Sequence, residues 1–166
     1  STEFSHATTA IDGLLVITQK QIADERGVVR EFFRESTYGG LAEFGPWRQL
    51  NVTESGRGAI RGLHGEQMTK LIACIAGAAF GVYLDARATS PTFGTVVSVE
   101  LAPGTQVLVP AGVCNGFQAV SERCQYLYCF DDEWRPGMAG VGYNPLDPGL
   151  AIDWPAFYWL PADVFG

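Results

Sequence analysis

The stretch RGLHGEQMTK, residues 61–70, places His64 three residues after Arg61 and six before Lys70. An imidazole with a guanidinium and an ammonium near it has three uses: proton-abstracting base, metal ligand, or satisfied core residue. The second histidine of the chain, His6, lies in a polar N-terminal segment. A metal at His64 would therefore have to be completed by carboxylates or thiols, whereas divalent transition metals in β-barrels favour several imidazoles. The sequence is read as having no metal site. A nearby cation favours the neutral imidazole that a base requires, and it also stabilises an oxyanion formed beside that base. A buried, hydrogen-bonded core histidine answers the same pattern, so residue types alone leave base and core residue open.

Composition narrows the partners. Eighteen acidic residues against eleven basic ones give a formal charge of −7, and the cations are scattered. That distribution excludes nonspecific attraction to nucleic acid but still allows one phosphorylated metabolite to be held by two or three converging cations. G-x-S-x-G, G-x-x-x-x-G-K-[ST] and strand-bound G-x-G-x-x-G signatures are missing. Cys74, Cys114, Cys124 and Cys129 lack C-x-x-C spacing, and three of them sit in apolar runs. They are expected to be buried thiols in a reducing cytoplasm. The opening STEFSHATTA has no signal-peptide pattern, and no apolar run reaches the length of a membrane span, so a soluble protein without membrane contact is expected.

The elements that must position His64 read as strands. GLLVITQ, VVREFF, RQLNVT, KLIACIAG, AAFGVYLDA, TVVSVELA, TQVLVPAG, GFQAVS and CQYLYCF recur between turn signals such as Asp24-Glu25-Arg26-Gly27 and Pro110-Ala111-Gly112. Only residues 38–44 could form a short helix. The length fits a single domain, residues 1–166, with 1–10 and 156–166 as peripheral terminal segments. KLIACIAG and AAFGVYLDA are apolar on both faces, which calls for burial between two sheets or beneath a partner subunit. An all-β, double-sheet jelly roll dimerising through a strand face is the simplest architecture.

ADERGVVREFF, QLNVTESGRGAIRGLH, the TKL that follows, DARATSPTFG, VPAGVCNGF and LDPGLAIDWP, in that order, resemble the dTDP-4-dehydrorhamnose 3,5-epimerase family over residues 13–155. The resemblance implies a cupin-type jelly roll (double-stranded β-helix) that forms a homodimer, uses no metal or cofactor, and acts on nucleotide-linked 4-keto-6-deoxy sugars. Its reaction is proton abstraction beside the ketone and reprotonation from the other face. By that resemblance His64 is the base, Asp163 its orienting carboxylate, Arg61 and Lys70 the cations on the enolate, and Arg26 the arginine for the diphosphate. Glu31, Gln49, Asn51 and Asn115 match positions lining the cleft.

The departures bear on mechanism. CNGF stands where the family has A-H-G-F, so a second histidine is Asn115. Trp134 occupies the position of the tyrosine that serves as the opposing acid, and an indole N–H is not a usable acid at neutral pH. Trp134 is then a wall or stacking residue. Tyr126 and Tyr128, of the same parity if the strand is regular, are the candidates to replace the acid. The run Gly137-Met138-Ala139-Gly140 stands where nucleotide-binding residues are expected, the loop between His64 and Lys70 is shortened, and Leu160-Pro161-Ala162-Asp163 only loosely matches the aspartate motif. The expectation is an isomerase of deoxysugar or natural-product biosynthesis working at one centre. The alternatives are isomerisation or cyclisation of a non-nucleotide ketone, or an inactive binding subunit.

Overall fold

The computed structural model describes residues 1–155. In chain order its strands are β1 (Ser5–Thr8), β2 (Leu15–Thr18), β3 (Gln21–Asp24), β4 (Gly27–Arg30), β5 (Gln49–Ser55), β6 (Ile60–Glu66), β7 (Lys70–Ala76), β8 (Ala79–Asp85), β9 (Val96–Leu101), β10 (Thr105–Val109), β11 (Val113–Ala119), β12 (Cys124–Phe130) and β13 (Gly140–Gly142). A four-residue helix, α1 (Glu35–Tyr38), follows β4. All nine expected strands are present. β6, which carries His64, was not among them: IRGLHGE breaks its apolar run with two glycines and two charges.

Six strands form one sheet in the order β1-β2-β10-β7-β12-β5, five form the other as β13-β6-β11-β8-β9, and β3-β4 is a separate hairpin. Side chains alternate across each strand, so inner and outer residues can be read by parity. Ile72, Cys74, Val107, Val109, Tyr83, Val113, Phe117 and Tyr126 meet between the sheets and form the main core.

The outer faces are covered by the chain itself. Leu71, Leu108, Leu15 and Ile17 pack under Phe32, Phe33, Tyr38, Leu41, Phe44 and Trp47. Leu63, Val82, Leu84 and Cys114 pack under Leu150, Ile152 and Trp154. This explains why β7 and β8 are apolar on both sides without a partner subunit. Burial of these layers supplies the main driving force, at roughly 25 cal/mol per Å² of apolar surface. Exposed apolar residues adjoin one another at two places, Ile22, Val28 and Val29 on the hairpin and Leu50 and Val52 on β5, the edge of the six-stranded sheet, while others such as Phe93 lie apart from these. The four cysteines are free and buried. No helix among the described residues is long and apolar enough to cross a membrane.

Candidate functional site

A cleft of about 220 Å³ opens between the sheets beyond the apolar core. Asn51, Thr53, Lys70, Tyr128 and Phe130 line it from the six-stranded sheet, and Arg61, His64, Glu66 and Asn115 from the five-stranded one. Facing sheets stack about 10 Å apart and their side chains normally fill that space, so the cleft marks where the two inner faces do not close on each other.

Arg61 and His64 are three residues apart and would face opposite ways on a regular strand. The pairing of β6 with β11 removes that conflict. His64 lies opposite Asn115 and Arg61 opposite Phe117, so Gly62 and Leu63 together oppose the single residue Gly116. The extra residue is a β-bulge, which re-aims Arg61 into the cleft while Leu63 packs in the outer layer. Only glycines fit here. A Cβ on Gly62 would stand 2.6 Å from the Gly116 Cα, and one on Gly116 would stand 2.6 Å from the Arg61 carbonyl oxygen.

Polar contacts then fix the side chains. Arg61 Nε donates to the buried Ser55 Oγ at 2.9 Å. Asn115 Nδ2 donates to the His64 carbonyl at 3.3 Å, tying β6 to β11. Lys70 is only 4% exposed, and its ammonium donates to Glu66 Oε2 at 2.6 Å while lying 5.6 Å from the Phe130 ring centroid. Burial pushes the Tyr128 phenol above the usual tyrosine range, with the Arg61 charge pulling the other way. The phenol is therefore protonated throughout the neutral range, the form that can donate.

Six of the expected site residues converge: His64, Arg61, Lys70, Asn51, Asn115 and Tyr128. Of the two substitute tyrosines, Tyr126 is fully buried and stacked on Phe117 at 4.0 Å between ring centroids, outside the cleft lining. Trp134 lies past the end of β12, so strand parity does not extend to it. It is 53% exposed, and its backbone N–H donates to Gln49 Oε1 at 2.8 Å. Gln49 Nε2 in turn donates to Asn51 Oδ1, placing both residues at the rim.

Arg26 and Glu31 are not brought to this cleft. Arg26 sits in the hairpin turn, its side chain 84% exposed and paired with Asp24. Glu31 is paired with Arg34. Asp163 lies outside the described residues. Glu66, Thr53 and Phe130 were not anticipated. Once β6 is read as a strand, Glu66 shares a face with His64 two residues earlier, which was the available signal. Among the described residues no group of three or more His, Cys, Asp or Glu converges as a metal site would require.

The SPTFG segment turns out to be architectural. Buried Asp85 accepts bonds from Arg87, Ser90 and Thr92, and Arg87 also reaches the Asp12 carbonyl. Burial alone would raise the Asp85 pKa, but these donors together hold it well below the usual carboxylate range.

Two antiparallel sheets with a polar, cation-bearing cleft between them define a cupin-type jelly roll. The chain belongs to the dTDP-4-dehydrorhamnose 3,5-epimerase family, whose sequence profile matches residues 8–164. It is 35% identical over 161 residues to the dTDP-4-dehydrorhamnose 3,5-epimerase of Salmonella typhimurium, covering 92% of this chain and 86% of the relative. It is also 35% identical over 153 residues to a dTDP-4-dehydrorhamnose 3-epimerase of Streptomyces niveus, covering 87% and 73%. Among solved structures, an epimerase from Legionella pneumophila in complex with dTDP-4-keto-L-rhamnose superposes with a TM-score of 0.87 at 34% identity, over 94% of this chain and 86% of that one. A 4-keto-6-deoxy sugar epimerase from the novobiocin biosynthetic gene cluster of Streptomyces spheroides gives 0.87 at 31% identity, over 93% and 81%.

Proposed function

We propose that this protein epimerises a dTDP-linked 4-keto-6-deoxy sugar at one carbon beside the ketone. The observation that carries this reading is the placement of His64 on one wall of the cleft and Tyr128 on the other, with Arg61 and Lys70 lining the same space. His64 takes the proton from the carbon next to the ketone. The electron pair moves onto the ketone oxygen, and Arg61 and Lys70 stabilise that enolate more than the neutral ketone, which lowers the barrier. Tyr128 then protonates the same carbon from the opposite face; its phenolate is reprotonated from solvent and the His64 imidazolium gives up its proton to solvent, which resets both groups. Asp163 orients His64 in this scheme, and Trp134 flanks the sugar or base at the rim beside Gln49.

The working unit is a homodimer. The β3-β4 hairpin exposes Ile22, Val28 and Val29 and carries Arg26 away from its own cleft. Seating it on a second copy would cover that apolar surface and offer Arg26 and Glu31 to the partner's substrate, where Arg26 would hold the diphosphate.

Incubation with a dTDP-4-keto-6-deoxyhexose in D2O tests the chemistry. Deuterium is expected at one of the two carbons flanking the ketone (C3 or C5), and His64→Ala should abolish it. Label at neither carbon refutes the substrate, and full exchange in His64→Ala refutes the base.

A further inference from the structure

We infer that Glu66 is a positioning residue for the reaction, holding the Lys70 ammonium at the point where the ketone oxygen gains charge. The inference rests on the enolate-stabilising role proposed for Lys70. β6 and β7 belong to opposite sheets, and the chain crosses between them within residues 67–69. The 2.6 Å contact from Lys70 Nζ to Glu66 Oε2 is therefore a brace from one wall to the other at the closed corner of the cleft.

Three further observations support it. A lysine side chain has four rotatable carbons, so a free ammonium would sample many positions rather than one. Lys70 is 4% exposed, and an ammonium removed from water needs a counter-charge to remain there. Glu66 is its one hydrogen-bonding partner among the described residues, with the Phe130 ring face adding a weaker attraction. Glu66 is also the one carboxylate among the described lining residues, in a cleft meant for a diphosphate-bearing substrate.

The test is a mutant cycle on the full chain with Glu66→Ala and Glu66→Gln, each alone and combined with Lys70→Met. Glu66→Ala is expected to lower kcat about 100-fold, the scale of a misplaced catalytic group, with KM little changed. Glu66→Gln keeps an acceptor for the ammonium and should recover about tenfold of that loss. In the Lys70→Met background neither substitution should change kcat further. A further drop there means Glu66 acts independently of Lys70 and overturns the inference, as does a Glu66→Ala enzyme with full kcat.

Lysine-ammonium ¹⁵N NMR reads the same positioning without substrate. The Lys70 signal should persist in the parent and in Glu66→Gln and vanish in Glu66→Ala; persistence in Glu66→Ala overturns the inference. Full kcat in Lys70→Met would refute the enolate-stabilising role itself, and with it the catalytic purpose of the pair.

Discussion

Replacing Tyr128 by Phe separates the two proton transfers. The substitution removes one oxygen from the cleft wall and leaves His64, Arg61 and Lys70 in place on β6 and β7. General acid catalysis is worth about 100- to 10,000-fold, or roughly 2.7 to 5.4 kcal/mol at 1.36 kcal/mol per decade. Epimer formation should fall by that factor. Proton removal should not, because His64 acts from the opposite wall. In D2O the variant should continue to place deuterium at the reacting carbon with retained configuration, since the solvent-exchanged imidazole can return it to the face it came from. Mass spectrometry reads the exchange and chromatography reads the epimer. Trp134→Phe, which changes an indole at the rim, should leave both rates within about tenfold of the parent, because no acid is lost. Epimerisation at the parental rate in Tyr128→Phe refutes the assignment of the acid. An equal fall in exchange and epimerisation would mean that Tyr128 serves binding or the first transfer, and that outcome refutes it too.

Other consequences test the scaffold. Gly116→Ala puts a Cβ 2.6 Å from the Arg61 carbonyl oxygen and 2.7 Å from Leu63 Cδ2. Overpacking of this kind costs about 1–3 kcal/mol, or about 2–12 °C in Tm for a chain of this size, so an unchanged Tm would contradict the close approach at the bulge. Asp85 has a depressed folded-state pKa, so its contribution is present above its unfolded value of about 4 and is lost as pH falls through the folded value. Asp85→Asn should destabilise the protein by about 3 kcal/mol at neutral pH by leaving Arg87 without its counter-charge. It should also flatten the acid side of the urea-midpoint profile, and a profile unchanged from the parent would refute the assignment. Val29→Asp, at a residue 70% exposed on the hairpin, should give a monomer in sedimentation if the hairpin seats on a second copy. A dimer of parental stability would refute that seating.

Strands with a sustained apolar or alternating run were legible in the sequence, the cleft-lining β5 included, whereas β6, interrupted by glycines and charges, was not. KLIACIA and CQYLYCF alternate between the main core and an outer layer, so nearly every position is apolar and the run stands out. The cover over those outer positions was harder to read. Residues 32–47 include Phe32, Phe33, Tyr38, Phe44 and Trp47, yet only Glu35–Tyr38 is helical, and the segment has no period that announces its docking. A self-covering loop buries a strand face as well as a partner subunit does, and an apolar pattern in the strand does not distinguish the two. The exposed hairpin moves the dimer question from the broad sheet faces to Ile22, Val28 and Val29.

The site shows a different limit. Residue types and proximity in sequence singled out His64, Arg61 and Lys70, but once β6 is known to be a strand, a separation of three residues would point His64 and Arg61 to opposite faces. What reconciles them is the bulge at Gly62 and Leu63, and its cause lies in the partner strand as much as in β6. Gly116 must lack a side chain for Gly62 to approach it, so RGLH and CNGF are two halves of one contact although fifty residues separate them. Asn115, standing where the family has histidine, keeps the register by bonding the His64 carbonyl and adds no second imidazole. The proposed proton chemistry therefore uses one imidazole and one phenol on facing walls. The proposal gives the donor role to Tyr128 and not Trp134 on two grounds: a phenol can release a proton where an indole N–H cannot, and β12 holds Tyr128 in the cleft lining but ends at Phe130, before Trp134.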